Sequence, residues 1–218
     1  MGREFIHLFD EWAKSYESSV TGQDKEYRDV FEGYENILEK VANASTGTVI
    51  EFGTGTGNLT LKLVAVGRDV IGIEPHESMR EITGRRCPNI QLVDGDLQNF
   101  SIEDKVVDSI VSTYVFHHLT DEEKQEVLKT YAKLLQAGGK IIFADTAFAS
   151  EEHKQAQVKK ERARDFHAVA DDLEREYYTT IPKLQTMFQE AGFDVIFDQL
   201  NNYVWYMEAT KTSETINK

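Results

Sequence analysis

Residues 49–58 read Val-Ile-Glu-Phe-Gly-Thr-Gly-Thr-Gly-Asn, a short apolar run that enters a loop with glycine at Gly53, Gly55 and Gly57. A second apolar run, 69–75, carries Glu74, 21 positions after Gly53. Glycine lets the backbone turn tightly and approach a ligand closely. A carboxylate about 20 residues further on can accept hydrogen bonds from both hydroxyls of a ribose. The pair of segments therefore constrains the chain to strand–loop–helix units of a parallel sheet, with an adenosine-type ligand expected at the mouth of that sheet.

The spacing also bears on which ligand. A dinucleotide fingerprint is G-x-G-x-x-G, whose helix N-terminus receives a pyrophosphate. Here the third glycine comes one residue early, and Glu51 stands two positions before the first. A carboxylate there would repel a pyrophosphate and attract an ammonium group. S-adenosylmethionine carries a ribose, an ammonium and a sulfonium but no phosphate, so it fits this pattern better than NAD does.

The rest of the chain fits the same plan. Residues 4–43 predict two amphipathic helices, one on Phe5, Leu8, Phe9, Trp12 and Tyr16 and one on Tyr27, Phe31, Tyr34, Ile37, Leu38 and Val41, broken at residues 21–24. Strands are expected at 48–52, 69–74, 90–94, 107–115 and 140–144, with helices at 58–66, 77–86 and 120–135. Thr120 with Glu123 is a capping-box signature for the last of these, and Gly138-Gly139 reads as its end. Residues 150–178 interrupt the alternation with a charged helical insert. A helix with Pro182 in its first turn follows, closed by Gly192. Two strands, 194–200 and 203–210, joined by Asn201-Asn202, predict a hairpin that turns the last strand antiparallel. Repeated βα units imply a Rossmann-like, doubly wound, mostly parallel sheet in three α/β/α layers. Residues 1–218 are expected to form a single domain, with 1–45 as an N-terminal helical cap and 150–178 as a helical lid. In such sheets ligands bind beyond the carboxyl ends of the strands.

Composition narrows the partners. Asp and Glu total 38 against 24 Lys and Arg, a formal charge of −14. Phosphate contacts need cations, so nucleic acid and anionic membrane surfaces are not expected partners. Cys87 is the single cysteine, which rules out an intrachain disulfide and a thiolate metal cluster. No apolar run approaches the roughly 18 residues needed to cross a bilayer. A cytoplasmic location is the expectation. Metal binding is not expected either: adjacent His117 and His118 project differently, and no carboxylate at helical spacing completes a set.

With these residues in hand, the chain resembles the class I S-adenosylmethionine-dependent methyltransferases over about residues 30–210. The segments 51–57, 73–75, 94–97 and 107–119 resemble that family's glycine loop, acidic end of strand two, adenine loop and methyl-facing loop. The N-terminal run, with Phe9-Asp-Glu-Trp-Ala-Lys-Ser-Tyr16, resembles more closely the methyltransferases of the YrrT type found in bacilli. The resemblance implies S-adenosylmethionine as cofactor. Gly53, Thr54 and Gly55 would then approach its methionyl part and ribose, and Glu74 would take the ribose diol. Glu51 would bind the ammonium or hold the loop. Asp96 and Leu97 would meet the adenine, with Asp94 as the alternative to Asp96. Tyr16, on the N-terminal helix, is a further expected contact to the cofactor, and Trp12 reads as core. His118 is the candidate catalytic base; His117 reads as a residue that packs or orients the acceptor. The acceptor itself is expected to be a small molecule. Competing readings are a protein that binds S-adenosylmethionine or S-adenosylhomocysteine without catalysis, an NAD(P)-dependent oxidoreductase, and transfer of an aminopropyl group.

Overall fold

The computed structural model describes residues 20, 22–102 and 105–213. Helix α1 (Tyr34–Ala44) turns Tyr34, Ile37, Leu38, Val41 and Ala42 inward, as their 3–4 residue spacing requires. The helix expected from residue 24 onward begins only here, after Gly33 takes a left-handed conformation, and residues 22–33 form turns instead. The alternation follows: β1 (Thr48–Phe52), α2 (Asn58–Ala65), β2 (Asp69–Ile73), α3 (Glu77–Arg86), β3 (Gln91–Val93) and β4 (Val107–Thr113). A 3-10 turn (Phe116–His118) leads to α4 (Asp121–Leu134) and β5 (Leu135–Thr146). Then come α5 (Glu151–Ala163), α6 (His167–Arg175), α7 (Ile181–Glu190), β6 (Phe193–Gln199) and β7 (Val204–Lys211).

The seven strands form one sheet in the order β3-β2-β1-β4-β5-β7-β6. Neighbours among β1 to β5 pair in parallel, and β7 runs antiparallel to both β5 and β6. Successive strand residues face opposite sides. Val49, Val70, Val111 and Ile142 pack on one face with α1, α2, α5 and α6. Ile50, Ile71, Ile110 and Ile141 pack on the other with α4 and α7. The result is the expected three-layer Rossmann-like sheet.

Three boundaries differ from expectation. Helix α4 stops at Leu134, before the Gly138-Gly139 pair. Leu135 already pairs with Val107, the chain bulges through 136–139, and pairing resumes at Ser109 and Lys140. The glycines serve this bulge: Gly138 has φ 83°, and a Cβ on Gly139 would lie 3.0 Å from the Gln136 carbonyl oxygen. The hairpin loop is four residues wide, 200–203, because the Asn201 side chain accepts from the backbone N–H groups of Tyr203 and Val204 and replaces a tight turn. The insert at 150–178 is two helices, α5 and α6, separated by a turn at Asp165 with φ 59°. Among the described residues no helix is long and apolar enough to cross a membrane.

Candidate functional site

The carboxyl ends of β1 and β2 are joined through their loops. Gly53 N–H donates to the Ile73 carbonyl at 2.8 Å, and a Cβ on Gly53 would lie 2.4 Å from Val115 Cγ2. Only glycine allows the β1 loop to lie this close to the loop after β4. Gly55 has φ 54°, a conformation that L side chains rarely adopt, and open space where its Cβ would be. Its N–H donates to Glu74 Oε2 at 2.8 Å, while Glu74 Oε1 accepts from His76 N–H at 3.0 Å. Glu74 is buried, and burial raises its pKa in spite of these two donors. It is therefore a clasp between two loops as well as a candidate ribose ligand. A carboxylate offers about four acceptor sites, so two bonded N–H groups leave capacity for a diol.

Glu51 is 1% exposed and accepts a 2.7 Å hydrogen bond from Thr60 Oγ1. Burial pushes its pKa up to about 8; the Thr60 bond opposes the rise and Glu74 adds to it. It holds the loop to α2 through Thr60, and it lines a cleft with Tyr34, Gly53, Thr54, Asn58 and Thr113. Thr54 Oγ1 is buried with no hydrogen-bond partner among the described residues. After β3, Asp96 is buried and Asp94 exposed, the latter 3.5 Å from Arg80. Asp96 Oδ1 accepts from the backbone of Gln98 and Asn99 at 2.9 and 2.7 Å and so shapes its own loop. The Leu97 carbonyl accepts from Tyr131 Oη at 2.6 Å. Tyr16 and Trp12 lie outside the described residues.

Beyond β4 the chain is differently built. Tyr114 takes φ 58°, unusual for an aromatic residue. Its ring packs on Phe31 and Tyr34, with centroids 5.0 and 5.9 Å away. Next, His117 is held by Asp145, at the end of β5. Asp145 Oδ1 is 2.6 Å from His117 Nδ1, and Oδ2 accepts the His117 backbone N–H at 3.0 Å. Burial lowers the His117 pKa, but Asp145 more than offsets this and leaves it raised. His118 Nδ1 lies 3.3 Å from Glu176 Oε2, and burial, reinforced by His117, lowers its pKa. Lys124, on α4, donates to the carbonyls of Leu119 and Tyr177 at 2.6 Å each, and burial pushes its pKa down to about 8. The sequence does carry carboxylates at helical spacing from the histidines, Asp121 and Glu122, but Leu119 is extended and a separate helix starts at Asp121, and the carboxylate that meets His118 is Glu176, 58 residues away. Sequence reasoning missed Asp145, Glu176 and Lys124. Asp145 had a signal, an acid that ends an apolar strand at the ligand-binding edge of the sheet; the other two had none.

Comparison with known proteins agrees with this geometry. Residues 49–139 match the family described as "Methyltransferase domain". An uncharacterized methyltransferase of Geobacillus sp. (strain WCH70) is 53% identical over 97% of this chain and 100% of its own length. An uncharacterized methyltransferase of Anoxybacillus flavithermus is 51% identical over 97% of this chain and 100% of its own. Among solved structures, magnesium protoporphyrin IX methyltransferase of Synechocystis PCC 6803, crystallised with bound SAM, superposes with a TM-score of 0.60 over 86% of this chain and 84% of that one, at 15% identity. From the full-length relatives, the matched domain and the shared fold, the chain belongs to the class I S-adenosylmethionine-dependent methyltransferases, in company with uncharacterized bacterial methyltransferases.

Proposed function

We propose that this protein transfers a methyl group from S-adenosylmethionine to a small-molecule acceptor. The observation that carries the reading is the clasp at the β1 loop. Glu74, buried, binds Gly55 N–H in a loop whose Gly53 and Thr54 line a cleft, and the Thr54 hydroxyl is buried without a partner among the described residues. A carboxylate with spare acceptor sites beside an unsatisfied hydroxyl suits a polar ligand with a diol and an ammonium. Glu74 would hold the ribose; Gly53, Thr54, Gly55 and Glu51 the methionyl part; and Asp96 and Leu97 the adenine. Tyr16 would close the pocket from the N-terminal segment. The cofactor supplies an activated methyl group on a sulfonium.

The chain's own contribution is alignment and exclusion of water, which in favourable cases supplies about 7–11 kcal/mol. If the acceptor is protonated at working pH, an imidazole of the His117–His118 pair would take its proton, with His118 as the first candidate. Residues 1–45 and 150–178 would act as the cap and lid that choose the acceptor, all within one domain. The charge of −14 supports a small acceptor over a polyanion, and the single cysteine supports a cytoplasmic setting. The N-terminal residues support kinship with the YrrT type.

Calorimetry with S-adenosylmethionine, S-adenosylhomocysteine and NADH tests the cofactor. Saturable binding of both adenosyl compounds is expected, and tight NADH binding without either would sink the reading. Product mass after incubation with methyl-labelled cofactor and a metabolite extract tests transfer. A labelled small product is expected. Cofactor binding with no labelled product from any extract would favour a non-catalytic binding protein.

A further inference from the structure

We propose that His117, His118 and Glu176 form a binding site for one divalent transition-metal ion of the zinc, cobalt(II) or iron(II) kind. One donor atom from each of the three side chains lies within 4.8 Å of the other two. The spacing of His118 Nδ1 and Glu176 Oε2, 3.3 Å, is informative. Charge-assisted N–H···O bonds shorten to about 2.7–2.9 Å. Two ligand atoms, each about 2.0–2.2 Å from one ion, sit about 3.0–3.5 Å apart at right-angle to tetrahedral geometry. The pair is spaced as co-ligands are, wider than a strong ion pair.

The surroundings support the same assignment. Both oxygens of Asp145 hold His117, one at Nδ1 and one at its backbone N–H. With Nδ1 donating to Asp145, Nε2 is the ring nitrogen left to coordinate. This is the carboxylate–imidazole arrangement that orients metal-bound histidine. Glu176 Oε1 lies 3.5 Å from Arg175 Nε, which leaves Oε2 on the side of His118. The two halves of the set are tied together without an ion: Tyr177 N–H donates to the His117 carbonyl, and Lys124 spans the Leu119 and Tyr177 carbonyls. These bonds hold the three residues near one another without a metal, and small side-chain rotations complete the coordination. Two nitrogens and one oxygen favour zinc, cobalt or iron over magnesium or calcium, which take oxygen ligands. Three protein ligands leave a position for water or for a heteroatom of the acceptor.

The test uses the full chain, stripped with EDTA and titrated with Co²⁺ while visible absorbance is followed, with Zn²⁺ in equilibrium dialysis as the second probe. The expected result is saturation at one ion per chain with the intense ligand-field bands of a four- or five-coordinate ion. His118→Ala and Glu176→Gln should abolish those bands, and Asp145→Asn should weaken binding about 10- to 100-fold, as loss of an orienting partner does. The absence of saturable binding would overturn the proposal, as would affinity unchanged in all three variants. Should the variants fail to fold by circular dichroism, X-ray absorption of the zinc-loaded parent decides. A shell with two imidazoles and oxygen supports the site; sulfur or all-oxygen coordination overturns it. None of these readouts needs methyl transfer to occur.

Discussion

The loops after β1, β2 and β3 and the loops after β4 and β5 lie along one edge of one sheet, yet they are built in opposite ways. In the first group the bonds made by the site's carboxylates are short in sequence: Thr60 to Glu51 spans 9 residues, Gly55 to Glu74 spans 19, and Asp96 closes on its own next three residues, while longer bonds such as Tyr131 to Leu97, across 34, brace the loops from outside. In the second group His117 meets Asp145 across 28 residues, Lys124 meets Tyr177 across 53 and His118 meets Glu176 across 58. The first region is built mainly from a local motif of glycines and acids, braced by Tyr131 and Val115. The second exists only after α4, α5 and α6 have packed. One would expect the first to be shared wherever the cofactor is used and the second to differ with the acceptor.

This division is testable as a separation of effects. The largest effect should come from Gly55→Val. Its Cβ enters open space beside the Glu74 clasp, and its φ of 54° is strained for valine, so affinity for S-adenosylhomocysteine should fall by more than about a thousandfold, or about 4 kcal/mol. A folded variant that binds normally in calorimetry would show that the loop is only a turn. Next, Asp145→Asn should cut turnover about a hundredfold, within the range for a disturbed acid–base group, and leave cofactor affinity nearly unchanged. An equal loss in both would erase the boundary between the two regions. Glu74→Gln should weaken cofactor binding by about 1.5–3 kcal/mol and also lower the melting temperature, since one of its two backbone donors would keep only a neutral oxygen and the other would face an NH2 group and lose its acceptor. A change in stability alone would make Glu74 a structural clasp and place the ribose elsewhere.

Glu51→Gln should have the smallest effect on binding, and its signature is pH dependence. The folded-state pKa of Glu51 is raised to about 8, from an ordinary 4.5. The folded state then holds more protons than the unfolded one between these values, so this residue's contribution to stability falls as pH rises from 4.5 towards 8. Unfolding midpoints measured across that window should slope less in the variant than in the parent. Parallel slopes would mean that Glu51 is ionised in the free protein.

The same contrast explains what could be read in the sequence. The glycine loop was legible because its two requirements, a positive φ at Gly55 and close approach at Gly53, admit one residue type. The capping box was legible because its partners are three apart: Thr120 Oγ1 accepts from Glu123 N–H, and Glu123 Oε2 from Thr120 N–H. Gly138-Gly139 was legible as a break but misassigned, since glycine serves a helix end and a β-bulge equally well. The start of α1 was placed too early because Tyr27 and Phe31 have helical spacing but sit in turns before Gly33. Tyr114 combines a positive φ with packing against Phe31 and Tyr34, which no local pattern announces. Glu176 depended on where α6 comes to rest, and a single charged residue in a charged insert carries no mark of that.

The strand order 5-7-6 also has a consequence for how the molecule is made. As the chain emerges from the ribosome, β6 appears before β7, yet it lies outside it and has no partner until β7 has passed between β6 and β5. Until Lys211 is available, β5 has an open edge along Lys140–Thr146, a stretch that includes the fully buried Ile141, Ile142 and Phe143. Unpaired apolar edges recruit other strands. A nascent or truncated chain that stops before residue 204 should therefore be a client for chaperones and a seed for aggregation, even though all the elements beneath the glycine loop are already in place.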